Sequence, residues 1–138
     1  MKKKRKIGRI DVADFPILNR YNIPIKIDTG AYTSSMHCPK IECIKDRLYC
    51  TFNDSDTPFV FDTYSLKIVK SSNGHIQLRY AITTEIKLFN TLFPIQLTLT
   101  NRQPMRYPVL IGRKFLGPRF IVDTQKTNLS QQFLIKHN

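Results

Sequence analysis

Apolar and polar positions alternate with period two through much of this chain. Ile23, Ile25 and Ile27 alternate around Pro24 and Lys26, the pattern of a half-buried strand. Leu66 and Ile68 alternate with Lys67 and Val69. After Ser71-Ser72-Asn73-Gly74 the alternation resumes, with Ile76, Leu78, Tyr80 and Ile82 set against Gln77, Arg79 and Ala81. Asn-Gly between two such runs predicts a hairpin, because both residues tolerate positive φ. Ile95, Leu97 and Leu99 against Gln96, Thr98 and Thr100 predict another strand. Short apolar runs at Phe59–Phe61, Phe120–Val122 and residues 133–135 predict three more. No window carries a long 3.6-residue stripe, so at most a single helical turn is expected, after Gly112. Many short strands with frequent turns predict an all-β barrel or sandwich.

Composition narrows the picture. A length of 138 residues favours one domain, and 41% hydrophobic with 11% aromatic residues reads as globular. No apolar run approaches a membrane span. The basic start is followed by no apolar segment of a secretory signal, so a cytoplasmic location is expected. Net charge is +12. Residues 1–10 hold six of the 22 basic residues and no acidic one; the other 16 against 10 acidic residues leave +6. Residues 1–6 are read as a solvated basic arm and residues 7–138 as the folded domain. Such charge attracts acidic substrates, RNA or ribosomes. Cys38, Cys43 and Cys50 are odd in number and lack paired C-x2-C spacing. They are read as free thiols, not as a zinc site with His37.

The chemistry concentrates at Asp28-Thr29-Gly30-Ala31. An acidic residue leaves an apolar strand and is followed within two positions by a residue without a side chain. Gly30 permits a tight turn and close approach, Thr29 offers a hydroxyl, and Ala31 leaves space beside the carboxylate. A carboxylate in so crowded a place needs a partner. A second carboxylate suits, because the pair shares one proton and can act as base and acid at once. Asp-Thr-Gly alone is also an ordinary turn. The Asp-Thr pairs at Asp62 and Asp123 lack the glycine, and Asp28-Thr29-Gly30 is the one Asp-Thr-Gly in the sequence, so the chain holds one candidate. The second carboxylate must then come from another copy across a two-fold axis. Downstream, Val109-Leu110-Ile111 runs into Gly112 and Arg113.

Taken together, KIDTGAYTSSMHC, the SSNGHIQLRY hairpin, IGRIDVADFP and NRQPMRYPVLIGRKFL resemble the retropepsin-like aspartic proteases. The likeness covers nearly the whole chain and is closest to a bacterial branch historically called ATP-dependent zinc proteases. The resemblance implies a closed acid-protease β-barrel, a homodimer, and a flap hairpin around residues 71–76. It implies Asp28 as the catalytic aspartate with Thr29 bracing the dyad and Gly30 completing the motif. Gly112 and Arg113 would lie in the strand and turn beneath it. Ala31, Asn73, Gly74, Arg79 and Arg113 are the expected substrate-binding residues. Viral members follow the motif with acidic residues that pair with this arginine; Tyr32 and Thr33 stand there here, so Arg113 must find another partner or meet a substrate carboxylate. The aspartate motif accounts for hydrolysis without a metal or other cofactor.

Some members of the branch accompany glutamate ligases and trim glutamate tails, which implies an acidic peptide or protein substrate. Arg79, Arg102, Arg106 and Arg113 are candidate carboxylate readers, since guanidinium binds carboxylate in two-pronged fashion. His37 is more simply a structural residue. Ser34 and Ser35 lack the surroundings of a nucleophile. Two other readings stay open: a non-catalytic peptide-binding module on the same fold, and a basic barrel that binds nucleic acid through Tyr32, Tyr49 or Tyr80. Nucleic acid is the less expected partner, for no RNP-like aromatic pair is present.

Overall fold

A computed structural model describes residues 3–53, 57–70, 73–101 and 106–137. The strands in chain order are β1 (Arg5–Ile7), β2 (Ile10–Phe15), β3 (Arg20–Ile27), β4 (Ser34–His37), β5 (Lys40–Ile44), β6 (Arg47–Thr51), β7 (Phe59–Phe61), β8 (Ser65–Lys70), β9 (Ile76–Leu88), β10 (Thr91–Thr100), β11 (Val109–Ile111) and β12 (Phe120–Val122). A 3-10 turn at Pro16–Leu18 and two short helices, α1 (Arg113–Leu116) and α2 (Leu129–Lys136), are the helical elements of the described residues.

Six strands close into a barrel in the order β10, β4, β11, β3, β2, β9, and β9 pairs back onto β10. Closure leaves those strands without free edges. Alternation puts Ile25 and Ile27 of β3, Ile82 and Ile86 of β9, and Ile95, Leu97 and Leu99 of β10 into one core. β8 hangs outside the ring on the first half of β9, and β5, β6 and β7 form a separate three-stranded sheet. Phe93, Phe115 and Phe120 meet ring against ring, and Phe120 also touches Phe89. This ties α1 and β12 to the barrel. No helix among the described residues is long and apolar enough to cross a membrane.

The all-β barrel, its outer hairpin and the helical turn after Gly112 appear as expected. Residues 133–135 do not form a strand but lie within α2. The reason is tertiary. Phe133 packs edge-on against Phe89, while the buried Asp11 carboxylate accepts the backbone N–H of Ser130 at 2.9 Å and of Gln131 at 3.3 Å. The helix is thus capped by a side chain from the other end of the chain. The basic arm is also shorter than read. Arg5 pairs with Phe120 in a parallel ladder, and its guanidinium lies 4.5 Å from the ring centres of both Phe89 and Phe133. Lys6 Nζ reaches Asp123 at 3.6 Å.

The three cysteines are free; Cys38 and Cys50 are buried and Cys43 is exposed, 3.1 Å from the Tyr64 hydroxyl. Among the described residues no three His, Cys, Asp or Glu side chains gather as a metal-ligating group.

Burial pushes the Asp11 carboxyl above its ordinary 3.8, and bonds from Ser130, Val12 and Gln131 pull it partly back. The folded protein therefore holds this proton more tightly than the unfolded chain. Between 3.8 and the raised folded value, the stability that Asp11 contributes falls as pH rises, and it is flat above. Asp11→Asn removes the titration. The urea midpoint of the native protein relative to this variant is expected to be greatest below pH 3.8 and to shrink as pH rises above it. Asp11→Ala strands buried donors and is expected to cost about 2 kcal/mol or more at any pH.

Candidate active site

Asp28 stands where β3 ends. β11 lies between β3 and β4, parallel to the first and antiparallel to the second, with Val109 opposite both Ile25 and Met36. The chain leaving β3 must therefore cross the end of β11 before it can return as β4. Residues 28–33 make that crossing, and β11 and α1 hold them from below. Asp28 N donates to Ile111 O at 2.8 Å, Arg113 N to Ala31 O at 2.8 Å, and Lys114 N to Tyr32 O at 2.9 Å. Gly112 N donates to Ser34 Oγ at 3.0 Å, and the Thr98 hydroxyl donates to Ser34 O at 3.2 Å.

Within the crossing, Gly30 N donates to Asp28 Oδ1 at 3.1 Å, and Ala31 N to Asp28 O at 3.2 Å. This turn fixes one carboxylate oxygen and presents the other. Gly30 has no left-handed φ; Gly74 is the described glycine that does, at 86°. What Gly30 supplies is space. A Cβ there would stand 3.3 Å from Asp28 Oδ1, so the missing side chain leaves the carboxylate open.

A cleft of about 780 Å³ opens over this turn. Its floor is Asp28, Gly30, Ala31 and Leu110; its roof comes from the β8–β9 hairpin, through Val69, Lys70, His75 and Arg79 among others. Val69 opposes Gln77 and Lys67 opposes Arg79 in the hairpin register. Asp28 is the one carboxylate among the described residues that line the cleft. The roof is basic, so an acidic chain entering here meets attraction and little repulsion.

Of the expected site residues, Asp28, Gly30, Ala31 and Arg79 come together in the cleft. Thr29 is exposed beside it and gives its carbonyl to Arg113 Nη1 at 2.9 Å. Arg113 thus has partners in place of the viral acids: the Thr29 carbonyl, and the Tyr32 ring 5.8 Å away. It lies outside the cleft lining. Asn73 and Gly74 lie at the exposed hairpin turn, also outside the lining. Ser71, Ser72 and Arg102 fall outside the described residues. Arg106 lies over Tyr107, and His37 ends β4 with its N–H on Pro108 O. Asp62 and Asp123, each followed by threonine but no glycine, have cation partners instead: Asp62 meets Arg47 at 3.0 Å, and Asp123 meets Lys6.

Sequence reasoning passed over Lys70 and Gln77 as cleft residues, while His75 falls within the stretch expected to form the flap. Hairpin alternation would have found Gln77, which shares a face with Arg79, but the residues at the turn obey no such rule. Of the tyrosines suited to an RNA surface, Tyr49 and Tyr80 are half-buried, and Tyr80 packs edge-on to Tyr64.

A family model described as retropepsin-like aspartic endopeptidase RimB matches residues 8–132. The chain belongs to this RimB-like family. A crystal structure of a Legionella pneumophila protein of unknown function superposes with a TM-score of 0.73 at 26% identity, covering 93% of this chain and 99% of that one. Proteins named "Probable alpha-L-glutamate ligase" are also similar. The one from Shewanella halifaxensis is 32% identical over 131 residues, 88% of this chain and 29% of that protein. The one from Desulfotalea psychrophila is 29% identical over 137 residues, 87% of this chain and 28% of that protein. The chain therefore spans under a third of the length of these curated relatives.

Proposed function

We propose that this protein is a homodimeric, metal-independent aspartic peptidase that cleaves acidic peptide or protein tails, glutamate-rich ones among them. The observation that carries the reading is Asp28, the one carboxylate among the described residues that line a roofed cleft in a retropepsin-like barrel. One carboxylate can take a proton from water but cannot at the same moment give one to the carbonyl under attack. Asp28 of the partner subunit supplies the second group, with Thr29 from each chain bracing the pair. The two share one proton, since like charges at contact cannot both ionise. The ionised member removes a proton from water, whose oxygen attacks the carbonyl carbon. The protonated member gives its proton to the carbonyl oxygen. The resulting diol collapses as the C–N bond breaks and a proton passes to the leaving amine.

The acidic preference rests on Lys70 and Arg79 in the roof and on a net charge of +12. The relatives named for glutamate ligation carry a stretch like this chain within a longer protein, which supports work beside such a ligase.

The test is a pooled peptide library with oligoglutamate-tailed and neutral members, its products read by mass spectrometry. Internal cleavage that favours acidic members and weakens with added salt is expected. Binding of acidic peptides with no cleavage of any would instead favour the non-catalytic module.

A further inference from the structure

A second, smaller pocket adjoins the cleft. Its volume is about 110 Å³. Thr33 lines both this pocket and the cleft, so the two meet at that residue.

The titratable groups on its lining are two cations, Lys114 and Arg119. Among the described residues neither meets a carboxylate; the ion pairs there use Lys6, Lys40 and Arg47. Their partners are neutral and position them. Lys114 Nζ donates to Gln96 Oε1 at 3.2 Å. That engages the amide oxygen and leaves the Gln96 NH2 as a further donor. Arg119 Nη1 donates to Phe115 O at 2.9 Å, and its guanidinium lies 4.7 Å from the Phe115 ring centre. This anchors the group while sparing other N–H bonds. The rest of the wall is largely apolar, with Ile95 and Phe115. Two held cations and a spare amide, around a space with an apolar wall, suit an anion on a short methylene stem.

We propose that this cavity is a subsite for the carboxylate of a glutamate-sized side chain, on a peptide whose main chain lies in the cleft. The link to a cleaved peptide rests on the peptidase reading above. The cavity's affinity for a carboxylate does not, and the two are tested separately. Entry past Thr33 places the acidic side chain to one side of Asp28, so the subsite selects a residue flanking the scissile bond and takes no part in the chemistry.

The test is an NMR titration of the full-length native protein with N-acetylglutamate amide, alongside N-acetylglutamine amide and inorganic phosphate. Saturable shifts are expected at Thr33, Gln96, Thr98 and Lys114, including the Gln96 side-chain NH2. Affinity for the glutamine probe should be about tenfold weaker or worse. The Lys114→Gln/Arg119→Gln variant should lose the glutamate preference. If that variant loses its dispersed spectrum, the native titration with the paired probes decides alone. Shifts confined to the cleft, equal affinity for the two probes, or tighter binding of phosphate would each overturn the assignment. On peptides, the Glu-over-Gln advantage in KM should collapse in the double variant while kcat on the neutral peptide holds. Absence of any cleavage would sink the peptidase reading and leave the NMR result to judge the cavity.

Discussion

Asp28→Asn is expected to lower kcat by about 10³-fold or more while KM stays within about twofold. The amide is nearly the same shape as the carboxylate. Its oxygen can still accept the Gly30 N–H that Asp28 Oδ1 accepts at 3.1 Å, so the turn keeps its form and the cleft its floor. What the amide cannot do is take a proton from water or pass one to a carbonyl oxygen. The loss should therefore fall on the chemical step and not on substrate binding. The best peptide from the pooled library provides the substrate, and an unchanged thermal midpoint shows that the fold is intact. Retention of native kcat would remove Asp28 from the mechanism.

Gly112→Ala is expected to destabilise the fold by about 3 kcal/mol or more and to abolish activity with it. A Cβ at Gly112 would stand 2.6 Å from Tyr32 O, 2.7 Å from Thr33 O and 2.8 Å from Thr33 C. These are backbone atoms of the crossing turn, with no flexible end to swing away. They are also tied down, since Tyr32 O accepts Lys114 N and the neighbouring Ala31 O accepts Arg113 N. Relief requires the turn to lift from β11, which breaks those bonds and moves Asp28. At Gly30, by contrast, the nearest atom is the Asp28 carboxylate oxygen at 3.3 Å. Gly30→Ala should disturb the carboxylate more than the fold. A urea midpoint for Gly112→Ala close to native would show that the turn is softer than its bonds imply.

Local alternation made the β8–β9 hairpin, β10 and the strand before Asp28 legible, because each alternates apolar with polar side chains and turns at polar residues. The hairpin also shows where that logic stops. Leu66, Ile68 and Leu78 are 57%, 72% and 65% exposed, while Arg79, Gln77 and Val69 face the cleft. Pattern alone reports two faces; only the ring of strands decides which one is inside. α2 escaped because its cap, Asp11, lies 119 residues from Ser130. Arg5 escaped because its aromatic partners are equally remote. Asp28 was legible from Asp-Thr-Gly, and its being the one such motif already pointed to a second copy. The space-giving role of Gly30, and the Thr29 carbonyl and Tyr32 ring as partners for Arg113, needed coordinates. They depend on how β11 lies between β3 and β4.

The most direct test of a site completed by two chains is a mixing experiment. Native protein at fixed concentration is equilibrated with increasing Asp28→Asn protein, long enough for subunits to exchange, and activity is read per native chain. If each site needs Asp28 from both subunits, mixed dimers are inactive and activity per native chain falls in proportion to the native fraction. Activity per native chain that stays constant as the variant is added would show that one chain suffices, and would contradict the dyad.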